Sequence, residues 1–534
     1  MTTIINPILP GFNPDPSIIF ANNAYYIAAS TFEWFPGVSL YKSYDLKNWT
    51  LISYPLNRVS QLDMKGNPDS GGVFAPCLTV DNGIFYLVFS DVKNLSGRFW
   101  DVNNYIVSTT DIEGEWSEPT YLNSRGIDPS LFHKSDGTKW LVSMEMSYRD
   151  GGKPGFPKWN GIIIQQYDEQ RKQLIGECRK IYNGSELGIT EGPHLYERDG
   201  WFYLLTAEGG TFYNHGVTMA RSRQLMGPYE TDPCGQMMTS RYDCRLPLQR
   251  VGHADLIETG QGEWFIVHLC GRPLPSRGRS PMGRETAIQK VYWNQDGWLR
   301  LINEKNTPEQ VVHTLLPEKP WPAMAVRDDF DKPTLPFHYQ SLRIPLADAF
   351  CSLTARKGWL RLRGQESLSS HHHQSLVARR QTDFAFRAQT RIDFQPTSFQ
   401  QMAGLVCYYD TTNFLYLYLT RDERGRRTVN LLINDLNRFS EPSGDGIALD
   451  DDGPVYLKVE VDHDAAWFFY SLDEREWHPV GGYVEYSKLS DEYFKERGHE
   501  RFTGAFVGVC CQDFTGEKAF ADFDYFSYQP VDAG

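Results

Sequence analysis

No stretch of this chain comes near the roughly 20 consecutive apolar residues that a membrane-spanning helix requires. The opening, MTTIINPILPGFNPDPS, has neither the basic cluster nor the apolar core of a secretory signal. These absences lead to the expectation of a cytoplasmic protein with no membrane partner. Cysteine is sparse and unpatterned, nine residues in 534 with no C-x-x-C pair and only Cys510 and Cys511 adjacent. Such spacing outlines neither a disulfide framework nor a zinc knuckle, so reduced, buried thiols are expected. Positive charge is in deficit: 53 Lys and Arg stand against 67 Asp and Glu, a formal net charge of −14. That balance argues against nucleic acid as a partner and favours a neutral substrate. Helical periodicity is missing from the first three hundred residues as well.

Aromatic residues, in contrast, are abundant. They make up 14% of the chain, with 14 Trp and 29 Tyr, a composition suited to half-buried strands and to flat faces for sugar rings. At 534 residues the chain exceeds one ordinary core, so at least two domains are expected.

A repeat organises the first part. PDPSIIFANNAYYIAAS, FAPCLTVDNGIFYLVFS, IDPSLFHKSDGTKWLVSME, EGPHLYERDGWFYLLTA and GHADLIETGQGEWFIVHLC share one outline. Each reads as a short strand, a turn rich in Asn, Asp or Gly, and an aromatic, β-branched strand. Aligned on Pro16, Pro76, Pro129, Pro193 and Ala254, the intervals are 60, 53, 64 and 61 residues. Further strand-like runs follow each pair, which describes the blades of a propeller rather than a helical solenoid. The expected architecture is all-β: a five-bladed β-propeller over residues 1–302, a Pro-rich, charged linker at 303–327, and a β-sandwich over 328–534. Period-2 alternation in FLYLYLT and YLKVEVD marks half-buried antiparallel strands of that sandwich.

The innermost strand of each blade lines a propeller's central channel, so equivalent positions converge. The residue before the aligned slot is Asp15, Ala75, Asp128, Gly192 and His253, and Glu191 lies one residue earlier, as does Phe74. Strand side chains alternate in direction, so Glu191 would point away from the channel. Either Gly192 allows a bulge that re-aims it, or the alignment is off by one in this blade. Taken singly, each Asp fits a turn or a cap and His253 fits a hydrogen-bonded core residue. Taken together, acids from several blades at one mouth suit glycoside hydrolysis, which needs one protonated and one ionised carboxyl group.

NPILPGFNPDPS, STFEWFPGV, GIDPSLF, ITEGPHLY, VGHADL, GRETAIQ and FTGAFVGVCCQD, in that order along nearly the whole chain, resemble β-xylosidases of glycoside hydrolase family 43, of the two-domain type. The resemblance implies a five-bladed propeller and exo-hydrolysis of short xylo-oligosaccharides with inversion, often with α-L-arabinofuranosidase activity. It implies Asp15 as general base, Glu191 as general acid and Asp128 as the carboxylate that tunes the acid. It further implies Arg284, His253 and Phe32 around the sugar, with Phe506 (or Phe502) of the sandwich closing the pocket. Phe74 departs from the pattern, since VFAP stands where the family has VWAP. No cofactor or metal is called for, and His371–His373 of SSHHHQS is expected at the surface, since adjacent His cannot all face one ion. Xylo-oligosaccharides and aryl pentosides are the expected ligands, and a homo-oligomer, dimer or tetramer, is implied by the resemblance. The competing readings are an arabinofuranosidase on the same scaffold, a retaining glycosidase acting on fructosides, and a propeller that binds oligosaccharide without catalysis.

Overall fold

The computed structural model describes residues 1–97, 99–149, 158–274, 278–347 and 349–531. The first part forms five antiparallel sheets arranged as a five-bladed propeller. Their innermost strands are Ser17–Ala21, Gly72–Asp81, Ser130–His133, Glu191–Arg198 and Gln249–Glu258. Each begins a meander that runs outward through three further strands in chain order. Neighbouring inner strands touch around the ring, and the fifth touches the first. Asn and Gly at the hairpin tips explain the sharp reversals: Asn22, Asn23, Asn82 and Gly83 all have φ between 50° and 77°, the left-handed region those residues tolerate best. The strands between the tips bury Ile27, Val88, Val142, Leu204 and Val267 with no exposed surface.

The N-terminus seals the ring. Asn6 donates from Nδ2 to the Ile288 carbonyl at 2.8 Å, Ile8 N–H donates to the Thr286 carbonyl at 2.9 Å, and Thr2–Ile5 pairs with Val311–Thr314. This last pairing revises the expected linker. Residues 303–321 are packed into the first unit, which ends at Trp321.

The second unit is a sandwich of a seven-stranded and an eight-stranded sheet over one apolar core that includes Phe386, Leu405, Leu417, Leu457 and Val509. Ser490 caps the short helix Asp491–Lys495 by accepting the N–H of Tyr493. Strand Asn413–Arg421, which carries FLYLYLT, is buried on both faces except for its last residue, so the expected half-exposure does not hold there. Leu415, Leu417 and Leu419 enter the core, while on the other face Tyr416 stacks on Tyr418 at 5.2 Å and donates to the Cys510 carbonyl at 3.3 Å. A tyrosine pairs its hydroxyl and buries its ring, so a polar-looking face is also covered. None of the nine cysteines, all among the described residues, forms a disulfide; six are buried, whereas Cys234 and Cys244 are exposed and Cys178 is half-buried.

Neither unit is contiguous in sequence. Asp63–Ser70 and Pro273–Gly283 group with the sandwich. Arg343 anchors the first segment, donating from Nη2 to Asp69 Oδ1 at 3.0 Å and from Nε to the Asn67 carbonyl at 2.7 Å. Thr411 Oγ1 also donates to Asp69, and His371 of the histidine triplet lies 3.6 Å from it. Arg279 anchors the second segment through Glu485 at 2.8 Å and Glu496 at 2.6 Å. Removing one member of a buried ion pair leaves the other uncompensated, at about 3–5 kcal/mol. Arg343→Ala should therefore lower the stability of the second unit by about 3 kcal/mol or more in urea titration, and a loss below about 1 kcal/mol would show that Asp69 finds another partner.

Candidate active site

Backbone conformation at one repeated position builds the site. Asp15 and Asp128 stand just before their inner strands, and Gly192, Ala75 and His253 in the first half of theirs, and all five have positive φ, at 55°, 36°, 57°, 56° and 47° in the order Asp15, Ala75, Asp128, Gly192 and His253. Four of them carry a Cβ, and a left-handed L-residue costs about 1–3 kcal/mol. The strain recurs because each inner strand enters the channel through the same left-handed kink. The pairing with the second strand slips at this point in three blades: between Phe74 and Cys77, between Glu191 and His194, and on either side of Gly252.

These five angles decide between the two readings of Glu191. The slot alignment holds, and Gly192 supplies the kink by which the ladder skips from the Glu191–Ala207 pair to the His194–Leu205 pair. Only glycine fits here, since a Cβ on residue 192 would lie 2.9 Å from Nδ1 of His253.

The carboxyl groups come together. Asp15, Asp128 and Glu191 are all buried. Ser30 Oγ donates to Asp15 Oδ2 at 2.7 Å, and Arg284 Nη1 donates to Asp15 Oδ1 at 2.8 Å. Ser30 Oγ in turn accepts the Ala75 N–H at 2.7 Å, which ties the first blade to the second. Gly192 N–H donates to Asp128 Oδ2 at 2.9 Å, and Trp159 Nε1 donates to Glu191 Oε2 at 2.8 Å. Burial, then the charges of Glu191 and Asp15, hold the Asp128 carboxyl well above the usual carboxylate range. Neighbouring carboxyl groups that shift one another in this way are a known means of setting acid and base roles apart.

His253 Nδ1 lies 4.0 Å from Asp15 Oδ1, and burial pushes the imidazole down to about 4, so it is uncharged at neutral pH. The Arg284 guanidinium lies 5.2 Å from the centre of the Phe32 ring, which packs against Phe12 at 5.5 Å and Phe74 at 4.4 Å. Phe32 and Val73 exchange backbone hydrogen bonds of 3.0 and 3.1 Å, fixing the two aromatic positions side by side. The first unit thus gathers Asp15, Asp128, Glu191, His253, Arg284, Phe32 and Phe74. Phe506 belongs to the second unit, where it is buried opposite Arg380 and Tyr408, 5.6 Å from the Arg380 guanidinium.

Sequence reasoning missed Ser30 and Trp159, and also the next layer down the channel: Ser17, Cys77, Ser130, His194 and Asp255, two residues beyond the kinked slot. Asp255 accepts from Ser17 Oγ at 2.8 Å, Ile18 N–H at 2.8 Å and Tyr196 OH at 2.6 Å, joining blades one, four and five. The repeat alignment already placed Asp255 in this layer. Beyond it the channel opens into a cavity of about 640 Å³.

Residues 4–299 match the family model of glycosyl hydrolases family 43, and residues 327–529 match the β-xylosidase C-terminal concanavalin A-like domain. The chain is 46% identical over 536 residues to a β-xylosidase of Bacillus subtilis, covering 98% of this chain and 99% of that one. It is 44% identical to xylosidase/arabinosidase 43B of Humicola insolens, covering 99% and 98% of the two chains. Among solved structures, a xylan β-1,4-xylosidase from Bacillus halodurans superposes with a TM-score of 0.96 at 49% identity, covering 98% of this chain and 100% of that one.

Burial also sets a pH dependence of stability. His133, His253 and His268 are pushed down to about 4, and His215 and His338 to about 3, from an ordinary value of 6.5, in each case chiefly by burial. Below pH 6.5 the unfolded chain takes up protons that the folded chain refuses, so this stability is complete above 6.5 and declines toward pH 4. Asp128, Asp328 and Asp410, the last raised to about 6, act in the opposite sense, but they are three groups against five. The melting temperature should fall steadily between pH 7 and pH 4.5; a flat profile would mean that these imidazoles are protonated in the folded protein.

Proposed function

The chain belongs to glycosyl hydrolase family 43, and from that premise we propose that it is an exo-acting β-xylosidase. In this proposal it removes terminal xylose from the non-reducing ends of short β-1,4-xylo-oligosaccharides by single displacement with inversion. The observation that carries the proposal is the buried trio in which Asp128 is held above the carboxylate range by burial and by the charges of Glu191 and Asp15. Asp15, oriented by donors on both oxygens, takes a proton from the attacking water. Glu191 delivers a proton to the bridging oxygen as the bond to the leaving sugar breaks, and water adds to the opposite face of the anomeric carbon. Asp128 accepts the N–H of Gly192, which fixes the kink that carries the acid, and in this proposal it tunes Glu191 and holds it in place. Arg284 serves Asp15 and the sugar hydroxyls, while His253, Phe32 and Phe74 line the pocket. The enzyme is proposed to work in the cytoplasm as a homo-oligomer.

An arabinofuranosidase activity on the same site is the second reading. It is favoured by the relative named for both activities and by the smaller Phe74 in the aromatic wall. Hydrolysis of the p-nitrophenyl β-xyloside and α-L-arabinofuranoside by the same preparation ranks the two, and the xyloside is expected to have the higher kcat/KM. Inversion is tested by proton NMR of the first-formed sugar: α-xylose should appear before mutarotation, and initial β-xylose would remove Asp15 from the role of base. Glu191→Gln should lower turnover of xylobiose by about 10³-fold while leaving xylobiose binding measurable by calorimetry.

A further inference from the structure

The proposed acid has a partner that the proposal above does not use. Trp159 opens the third strand of blade three, Trp159–Asp168, where the ladder slips between Met144 and Met146 and pairs Met146 with Trp159. Its indole N–H donates to Glu191 Oε2 at 2.8 Å. The indole itself is held in place. The Lys158 ammonium lies 4.9 Å from the Trp159 ring and 4.0 Å from the Trp100 ring, and the two indoles meet edge to face at 6.4 Å.

An indole N–H donates only and has no acceptor, unlike the Ser, Tyr or His side chains that could stand in its place. The carboxyl oxygen facing it must therefore accept in both protonation states. We propose that Trp159 is a positioning residue that keeps Glu191 Oε2 an acceptor throughout the cycle, so that the transferable proton is carried on Oε1. This rests on the assignment of Glu191 as general acid. The proton then leaves Oε1 for the bridging oxygen, the carboxylate left behind keeps the same N–H on Oε2, and reprotonation returns to Oε1. Without the donor, the proton can sit on either oxygen, and the carboxyl group loses the contact that fixes its orientation toward the bridging oxygen. A donor on the carboxylate also favours the ionised form and so eases proton release.

Trp159→Phe in the full chain is the test, with two leaving groups of different need. Xylobiose requires protonation of its leaving sugar, whereas a 2,4-dinitrophenyl xyloside departs with little help. The kcat for xylobiose should fall about 30-fold and that for the dinitrophenyl xyloside less than about 3-fold. The basic limb of the kcat/KM profile should move to higher pH by about half a unit or more. Equal losses on both substrates, or an unmoved limb, would overturn the inference, because a merely structural indole affects both alike. A readout independent of turnover is the ¹³C carboxyl titration of Glu191, assigned by its loss in Glu191→Gln. Should the parent cleave no pentoside, the glycosidase reading falls, and this titration alone decides the pairing: a midpoint that rises in Trp159→Phe supports it, and an unmoved midpoint overturns it.

Discussion

A left-handed turn just before or early in each inner strand is the constraint on which the site depends. Five residues at equivalent positions adopt it, four of them at a steric cost that glycine would avoid. The kink sets the direction in which the inner strand enters the channel, and with it the aim of whatever side chain occupies the slot. Two slots hold Asp, one holds His, and one holds Gly so that the residue before it can take part. The same backbone device therefore supports a carboxylate, an imidazole and an empty position, and chemistry is assigned by the side chain alone.

Placing three acids together creates an electrostatic conflict that the surroundings resolve group by group. Asp15 has an arginine and a serine, Glu191 has an indole N–H, and Asp128 has one backbone N–H and the charges of its two neighbours. Burial, with those neighbouring charges, holds Asp128 above the carboxylate range. His253, next to Asp15, is kept uncharged by burial, and Arg284 provides a full positive charge on that carboxylate.

Much of this was legible because repeats encode their backbone locally. The Asn and Gly turns gave the hairpins, and the spacing of the five slots gave the blade count and the convergence of Asp15, Asp128 and His253. The position of Glu191 was legible only as two alternatives, since the period-2 rule fails where a kink interrupts a ladder. Ser30 and Trp159 were not legible. Ser30 follows the second strand of its blade and Trp159 opens the third of its own, where loops of varied length break the register that made the inner strands comparable. The unit boundaries were hidden for another reason: MKGNPDS and the stretch around Arg279 read as ordinary turn-rich connections, and nothing local shows that their ion-pair partners lie hundreds of residues away.

Those distant partners bear on how the chain matures at the ribosome. Asp69 is 274 residues ahead of Arg343 and 342 ahead of Thr411. At about 5–20 residues per second, Arg343 follows Asp69 by about 15–55 s. Inner strands and hairpins of the ring can assemble in that interval, while Asp63–Ser70 and Pro273–Gly283 must wait, unanchored, for sandwich strands not yet translated. Both hold charged side chains and glycines, a composition that stays solvated rather than sticking to a neighbouring nascent chain. The order of translation thus makes the sandwich the last piece to be secured, and with it the two segments that lead into Gly71 and Arg284.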